Sequence, residues 1–335
     1  MAARENPAPG TLTVTTFNVL HDTQERTGRA LTAAAGLNAT APDLVLLQEL
    51  PFEEDHSSAY LDTLTAATGL NVAYAAPLTA PRPHTTDRSG PGILHGPALV
   101  LEEAGTLPPV PGLEGYLPVP QGSWAVFAEA PSDPAQPDPA QASPSEQATG
   151  APGRVVAVVN LHGVWGGDRA YEREQQMLHA VRWAESLRQR LADREPLLVL
   201  GGDLNTVPES SVVRYLTGLQ PLGTAGTYWV DAWEHAGDGT AGHTTSADSA
   251  WFLQTARGVG IQRPESVPPR RIDYLFVRDW VYGRRGQPLD TRVDLTGTGR
   301  SGWHASDHFA VTTVLDTGRY QPAAPRTSSA SRALD

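Results

Sequence analysis

Leu197-Leu198-Val199-Leu200-Gly201-Gly202-Asp203-Leu204-Asn205 is the stretch on which the reading of this chain turns. Four apolar residues closed by a glycine pair predict a short strand buried on both faces. The glycines lack a Cβ and let the backbone come close to another group, here expected to be a ligand. Asp203 and Asn205 sit two apart, which on an extended segment turns both side chains to one face. A carboxylate and an amide side by side at a strand end can orient one water or one phosphate oxygen.

The same arrangement recurs outward from there. Asn18, Glu49, His162, Asp203, Asn205, Asp273, Asp307 and His308 each follow or interrupt an apolar extended run. One polar residue at a strand end commonly serves a turn; so many imply one shared rim. Asn18 and Glu49 offer the hard oxygen donors that magnesium takes. Asn160 and His162 share a face, and a histidine beside a phosphoryl group can donate to a nonbridging oxygen or to the leaving group. Asp273 lies in the otherwise apolar Arg271-Ile272-Asp273-Tyr274 and must find a partner, because an unpaired buried carboxylate is costly. His308 is the natural candidate, with Arg270 and Arg271 as alternatives. An Asp–His pair would fix the imidazole tautomer and raise its basicity. Together these residues point to metal-assisted attack of water on a phosphate ester.

Other motifs are set aside. His304 and His308 are four apart, but Ala305 stands where a zinc-helix motif needs glutamate. Arg173 and Gln176 read as a solvated helix face. His84, His95, His235 and His243 read as surface or loop residues.

Composition narrows the chemistry. The 335 residues allow one large α/β domain or two small ones. The chain has no cysteine, which removes thiol nucleophiles, thiolate zinc sites, iron–sulfur clusters and disulfides. It has no lysine either, which removes the P-loop lysine, the pyridoxal Schiff base and the kinase lysine. A net charge of −12 speaks against a broad nucleic-acid-gripping surface, though not against a nuclease with phosphate contacts confined to one cleft. No apolar run is long enough for a transmembrane segment. No signal peptide is visible, so a cytoplasmic location is expected, or secretion if a leader has been removed.

Strands are predicted at residues 12–20 (ending at Asn18), 43–47, 94–101, 123–128, 155–161, 197–200, 271–277 and 309–315, with helices at 27–37, 59–68 and 169–190. Residues 131–153 collapse into Pro, Ala, Gln, Ser and Asp and read as a disordered insertion between two strands. The stretch 319–335 reads as a flexible tail. No internal repeat is visible at the level of motif.

With these motifs assembled, the chain resembles the endonuclease/exonuclease/phosphatase superfamily, whose fold is deoxyribonuclease-like. The matching tags, in family order, are Thr16-Phe17-Asn18-Val19-Leu20, Leu47-Gln48-Glu49, Asn160-Leu161-His162, Gly202-Asp203-Leu204-Asn205, Arg271-Ile272-Asp273-Tyr274 and Ser306-Asp307-His308. The resemblance implies an α/β four-layer sandwich over residues 11–316, two packed mixed β-sheets flanked by α-helices, with the site at one end. It implies Glu49 as chief ligand of Mg2+ (or Mn2+), with Asn18 and Asp307 nearby. Asp203 and Asn205 would position the attacking water or a second ion, His308 oriented by Asp273 would act as base or transition-state stabiliser, and His162 would contact the scissile phosphate. Either Asp203 or His308 could remove the water proton. Many members carry a tyrosine or acid that supports the histidine equivalent to His162; here that region, Gly90-Pro91-Gly92-Ile93-Leu94-His95-Gly96-Pro97, has none.

The resulting expectation is a magnesium-dependent phosphoester hydrolase, foremost a phosphodiesterase such as a nuclease. A phosphomonoesterase, a lipid phosphodiesterase and a non-catalytic binding member are the alternatives. Trp165, Trp229, Trp233, Trp251 and Trp303 fall in or near predicted loops, where they could stack on a base, seat in lipid, or anchor loops.

Overall fold

Strands whose two faces are both buried read as near-continuous Val, Leu and Thr runs, and such runs dominate the two sheets of this protein. The computed structural model describes residues 10–22, 24–77, 88–113, 122–129, 154–278, 281, 285–299 and 302–318. The predicted insertion at 131–153 and tail at 319–335 lie outside them. The first part of the chain forms β1 (Thr11–Asn18), α1 (Arg26–Thr40), β2 (Leu44–Phe52), α2 (Ala59–Thr68), β3 (Asn71–Ala75) and β4 (Arg88–His95). It continues through β5 (Leu99–Thr106), β6 (Gly122–Glu129), β7 (Val155–His162), α3 (Ala170–Arg190) and β8 (Leu197–Asp203). The last part carries α4 (Ser211–Leu216), β9 (Trp229–Asp231), α5 (Ala232–Ala236), α6 (Ala250–Gly258), β10 (Asp273–Arg278), β11 (Pro288–Asp294) and β12 (Ala310–Asp316).

One sheet runs β11-β12-β1-β2-β4-β3 and the other β5-β6-β7-β8-β10-β9. Both are mixed, with β1 parallel to β2 and β7 parallel to β8, and every other pairing antiparallel. The order β12-β1-β2-β4 in one sheet therefore repeats as β6-β7-β8-β10 in the other.

Leu12, Val14, Leu44 and Leu46 of the first sheet meet Val156, Val158, Val199 and Leu275 of the second. Ala30, Ala33 and Leu37 of α1 and Leu64 of α2 cover the first sheet's outer face at Phe17, Val45 and Leu47. Met177, Ala180 and Leu187 of α3 and Leu216 of α4 cover the second at Ala157, Val159 and Leu200. The result is the four-layer α/β sandwich. Burying one such Val or Leu side chain contributes about 1.5–3 kcal/mol, and a one-residue slip would turn every inner residue of a strand outward. Register is thereby pinned, and it carries Asn18, His162, Asp203 and Asp273 to the inner faces at one end.

Two sequence expectations change. Residues 94–101 are not one strand: the chain breaks at Gly96-Pro97, with β4 in the first sheet and β5 in the second. Proline has no N–H for a ladder, and the crossing between sheets happens there. His95, read as a loop residue, ends β4 and is buried against Phe127.

Candidate active site

Side-by-side pairing assembles half of the site. His162 of β7 pairs with Asp203 of β8, and Asp203 with Asp273 of β10, so the three stand in a row across the second sheet. In the first sheet Asn18 stands opposite Gln48.

Glu49 needs a further device. By alternation it would follow Val45 and Leu47 outward beneath α1. β2 instead holds one extra residue between Leu47 and Leu50 relative to β4, and Leu50 takes the outward place. This bulge leaves Glu49 at φ 56 and frees it for the rim. Gln48 Nε2 donates to Asn160 Oδ1 at 2.7 Å, to Thr16 Oγ1 at 3.1 Å and to Leu46 O at 3.2 Å. Asn160 Nδ2 donates in turn to Leu47 O at 2.8 Å and Gly92 O at 3.1 Å. Asn160 thus ties the sheets together directly beneath the site.

The glycine pair serves packing, not ligand approach. A Cβ on Gly201 would lie 2.6 Å from Leu275 Cδ2, and one on Gly202, at φ 139, only 1.8 Å from Leu161 O. Asn205 also meets Asp203 differently from the prediction. It lies beyond β8 at φ 50, and a turn brings it back: its N–H donates to Asp203 Oδ1 at 2.8 Å and its Nδ2 to Oδ2 at 3.2 Å.

Asp203 is the hub. It is buried, and its Oδ2 also accepts from Asn18 Nδ2 at 3.0 Å. His162 Nε2 lies 3.6 Å and His308 Nε2 3.8 Å from that oxygen. His162 Nε2 is 3.6 Å from Glu49 Oε1 as well, so Glu49 and Asp203 both flank it. His308 Nδ1 donates to Asp273 Oδ2 at 2.9 Å. Thr244 Oγ1 donates to the same oxygen at 2.6 Å and accepts from the N–H groups of Ile272 and Asp273. Arg271 is engaged elsewhere, on Asp231 Oδ2 at 2.7 Å and Glu234 Oε1 at 2.5 Å. Asp307 sits beside His308 on the rim and accepts from Ser306 Oγ at 3.1 Å.

Two residues outside the predicted set belong here. His21 hydrogen-bonds Glu49 Oε2 through Nδ1, and its backbone N–H reaches the same oxygen at 3.3 Å. Thr244 is the other. His21 lies three residues beyond Asn18 of the first tag. Thr244 falls in His243-Thr244-Thr245, which with Asp231-Ala232-Trp233 resembles the family's loop region between the fourth and fifth tags, though that likeness gives Thr244 no role. Arg173 and Gln176, read as a solvated face, are buried and hold the loop after His162. Among the tryptophans, Trp229, Trp233 and Trp251 are buried anchors, whereas Trp165 is 62% and Trp303 36% exposed.

Burial pushes the Asp203 carboxyl up to about 6, with Asp273 adding to the rise and His308 opposing it. Burial opposes charge on His308, yet Asp273 and Asp203 together outweigh it and raise that imidazole well above its ordinary value. Near neutral pH the arrangement is a carboxylate able to accept a proton, facing an imidazolium able to donate.

The donor set fits a divalent cation. Glu49, the Asn18 amide oxygen and Asp307 offer oxygen ligands of the hard type, and Asp203, Asp273 and His308 form a buried group whose ligand atoms lie within 4.8 Å of one another. In that second group Asp273 Oδ1 has no hydrogen-bond partner among the described residues, while Oδ2 is taken by Thr244 and His308. No described helix is long and apolar enough to cross a membrane.

A search of curated proteins finds no match to this chain. Solved structures share its fold. The structure of TDP2 from C. elegans superposes with a TM-score of 0.58 at 17% identity, over 91% of this chain and 75% of that one. D. rerio TDP2 complexed with a single-strand DNA product gives 0.61 at 17% identity, over 92% and 99%. The human Nocturnin catalytic domain with a bound sulfate anion gives 0.56 at 15% identity, over 91% and 94%. These likenesses establish the architecture, and the endonuclease/exonuclease/phosphatase family profile matches residues 15–308, a span that includes every site residue described above. The chain belongs to the endonuclease/exonuclease/phosphatase family.

Proposed function

We propose that this protein is a divalent-metal-dependent phosphodiesterase that cleaves a nucleic-acid strand by in-line attack of water. The observation that carries this reading is the convergence on Asp203 Oδ2 of two amides and two histidines, one of them shared with Glu49. Glu49, with Asn18 and Asp307, would hold Mg2+ or Mn2+. Such an ion supplies Lewis-acid neutralisation of phosphate charge and eases departure of the leaving oxygen.

The protein's own groups divide the remaining work. Asn18 and Asn205 fix the Asp203 carboxylate, and its Oδ2 removes the proton from the attacking water. A carboxyl titrating near 6 is ionised at neutral pH and still basic enough to accept that proton. His308, kept cationic by Asp273, donates from Nε2 to a nonbridging oxygen as negative charge grows there. His162 donates to the scissile phosphate from the opposite flank. Four carboxylates at one rim favour a monoanionic diester over a dianionic monoester. Support for a nucleic-acid strand comes from the D. rerio neighbour, captured with a single-strand DNA product. The exposed Trp165 and Trp303, each a few residues from a site histidine, offer faces on which bases stack.

The test compares bis-p-nitrophenyl phosphate, p-nitrophenyl phosphate, a single-stranded oligonucleotide and phospholipid vesicles, each with Mg2+, Mn2+ or EDTA. Metal-dependent cleavage of the diester and the oligonucleotide, lost in Glu49→Ala, is the expected result. Monoester cleavage alone, or activity only on vesicles, would overturn the assignment.

A further inference from the structure

Arg29 and Arg173 occupy one and the same place in the two halves of the fold. β1 and β7 are each eight residues long and end at site residues, Asn18 and His162. α1 and α3 begin at the same distance beyond them, and the fourth residue of each helix is arginine. Between residues 11–29 and 155–173, aligned on that spacing, only the valine pair Val14/Val158 and the arginine pair are identical.

Both arginines are buried, and neither forms an ion pair with a carboxylate among the described residues. Backbone carbonyls take the guanidinium instead. Arg29 donates to Val19 O at 2.7 Å, Leu20 O at 2.9 Å, Asp22 O at 2.6 Å and Gln24 O at 3.1 Å. Its other neighbours are the ring faces of Trp251 at 5.2 Å and Tyr60 at 5.9 Å, with the Asp22 and Asp307 carboxylates near enough to favour its charge. Arg173 donates to Val164 O at 2.9 Å and Gly166 O at 2.7 Å, while Gln176 accepts from Val164 N–H. Burying a cation with no carboxylate in direct contact is costly. Asp22 and Asp307 near Arg29, and Glu172 and Asp168 near Arg173, favour the charge from a distance, and charge-assisted bonds to carbonyls offset the rest only where the loop is held in one shape.

Each loop touches a different part of the site. The loop on Arg29 carries His21, which grips Glu49. The loop on Arg173 begins at Gly163, whose carbonyl accepts from Asn205 Nδ2 at 3.0 Å and whose N–H donates to Asp203 O at 2.7 Å.

We propose that Arg29 and Arg173 are a duplicated pair of positioning residues with divided roles. Arg29 sets metal affinity by holding the loop that orients Glu49. Arg173 sets the chemical step by holding the loop that orients His162, Asp203 and Asn205. The division rests on the reading of Glu49 as a metal ligand.

The experiment uses the full chain and Arg29→Met, Arg29→Lys, Arg173→Met, Arg173→Lys and Glu49→Gln. Mg2+ binding is followed by calorimetry, loop order by amide hydrogen exchange, and turnover of bis-p-nitrophenyl phosphate at saturating Mg2+. Loss of a group that orients a ligand commonly lowers metal affinity or activity about 10–100-fold. Arg29 variants are expected to lose Mg2+ affinity on that scale, with faster exchange confined to residues 19–25 and kcat within about threefold of the parent. Arg173 variants are expected to lose kcat on that scale, with faster exchange confined to residues 163–169 and Mg2+ affinity within about twofold. The lysine variants keep the charge but not the fork and decide the matter if the methionine variants do not fold. Equal losses of thermal stability without this split, or both parameters falling together in both variants, would overturn the proposal. Undiminished Mg2+ binding by Glu49→Gln would overturn the metal reading and the Arg29 half with it; the Arg173 results stand or fall on their own.

Discussion

Replacing Asp273 with asparagine asks whether His308 works as a cation. Its Nδ1 lies 2.9 Å from Asp273 Oδ2 and its Nε2 3.8 Å from Asp203 Oδ2. At an effective dielectric of about 20 the nearer attraction amounts to about 6 kcal/mol and the farther to about 4 kcal/mol. Burying an ion costs several kcal/mol, so both attractions together exceed the penalty, whereas Asp203 alone no longer does so clearly. In Asp273→Asn the imidazole should therefore titrate at lower pH than in the parent. The amide keeps an oxygen for His308 and Thr244, but its NH2 fills the position of Oδ1, which has no partner among the described residues. That orphaned donor should cost about 1–3 kcal/mol of stability. Loss of a charged donor aimed at the transition state corresponds to about 100–1000-fold in turnover. The assays are NMR titration of the His308 ring in the metal-free protein and the pH–rate profile on bis-p-nitrophenyl phosphate. Residual activity should fall off at lower pH on its alkaline side, because His308 gives up the proton it must donate earlier than in the parent. A ring that titrates as in the parent, or turnover within about threefold of it, would refute the reasoning.

Three further outcomes are expected. Glu49→Ala should abolish metal-dependent hydrolysis while circular dichroism in EDTA matches the parent; retained Mg2+ stimulation would contradict its placement. Gly202→Ala should cost about 2–6 kcal/mol in urea unfolding, the sum of a backbone strain of about 1–3 and overpacking of about 1–3, because a methyl would meet Leu161 O at 1.8 Å; a smaller loss than about 1 kcal/mol would show that the strands yield. Asp203 holds its proton longer folded than unfolded, so the stability it contributes is complete below pH 3.8 and lost as pH rises through about 6. The loss, about 3 kcal/mol in chelator, should be absent in Asp203→Asn, and hydrolysis by the parent should rise over the same window.

The strands were legible where both faces are buried, as at residues 155–161 and 197–200, because runs of Val and Leu then need no partner to be recognised. β3 and β11 are not legible because neither is apolar throughout: β3 is exposed or half-buried, and β11 buries only Pro288 and Thr291 across an irregular register. The polar residues at strand ends were legible as punctuation, and the register brought Asn18, His162, Asp203 and Asp273 together. Glu49 reaches the rim for a reason no local window holds. Its bulge is secured by Asn160, from the other sheet. The sequence around the glycine pair suggests room for a ligand because the strand that fills that room, β7, is distant in sequence. The duplicated half-fold does not show in the sequence because it is a repeat of spacing, with hardly any repeat of residues.

The pairing of β1 with β12 has a consequence for synthesis. Asn18 and Glu49 leave the ribosome early, but His308 follows late, and β12 must slot beside β1 before the imidazolium faces Asp203. On the function proposed above, a nascent chain therefore carries Asn18 and Glu49 long before it can cut. If the substrate is a nucleic-acid strand, the unfinished polypeptide is harmless to the message that encodes it.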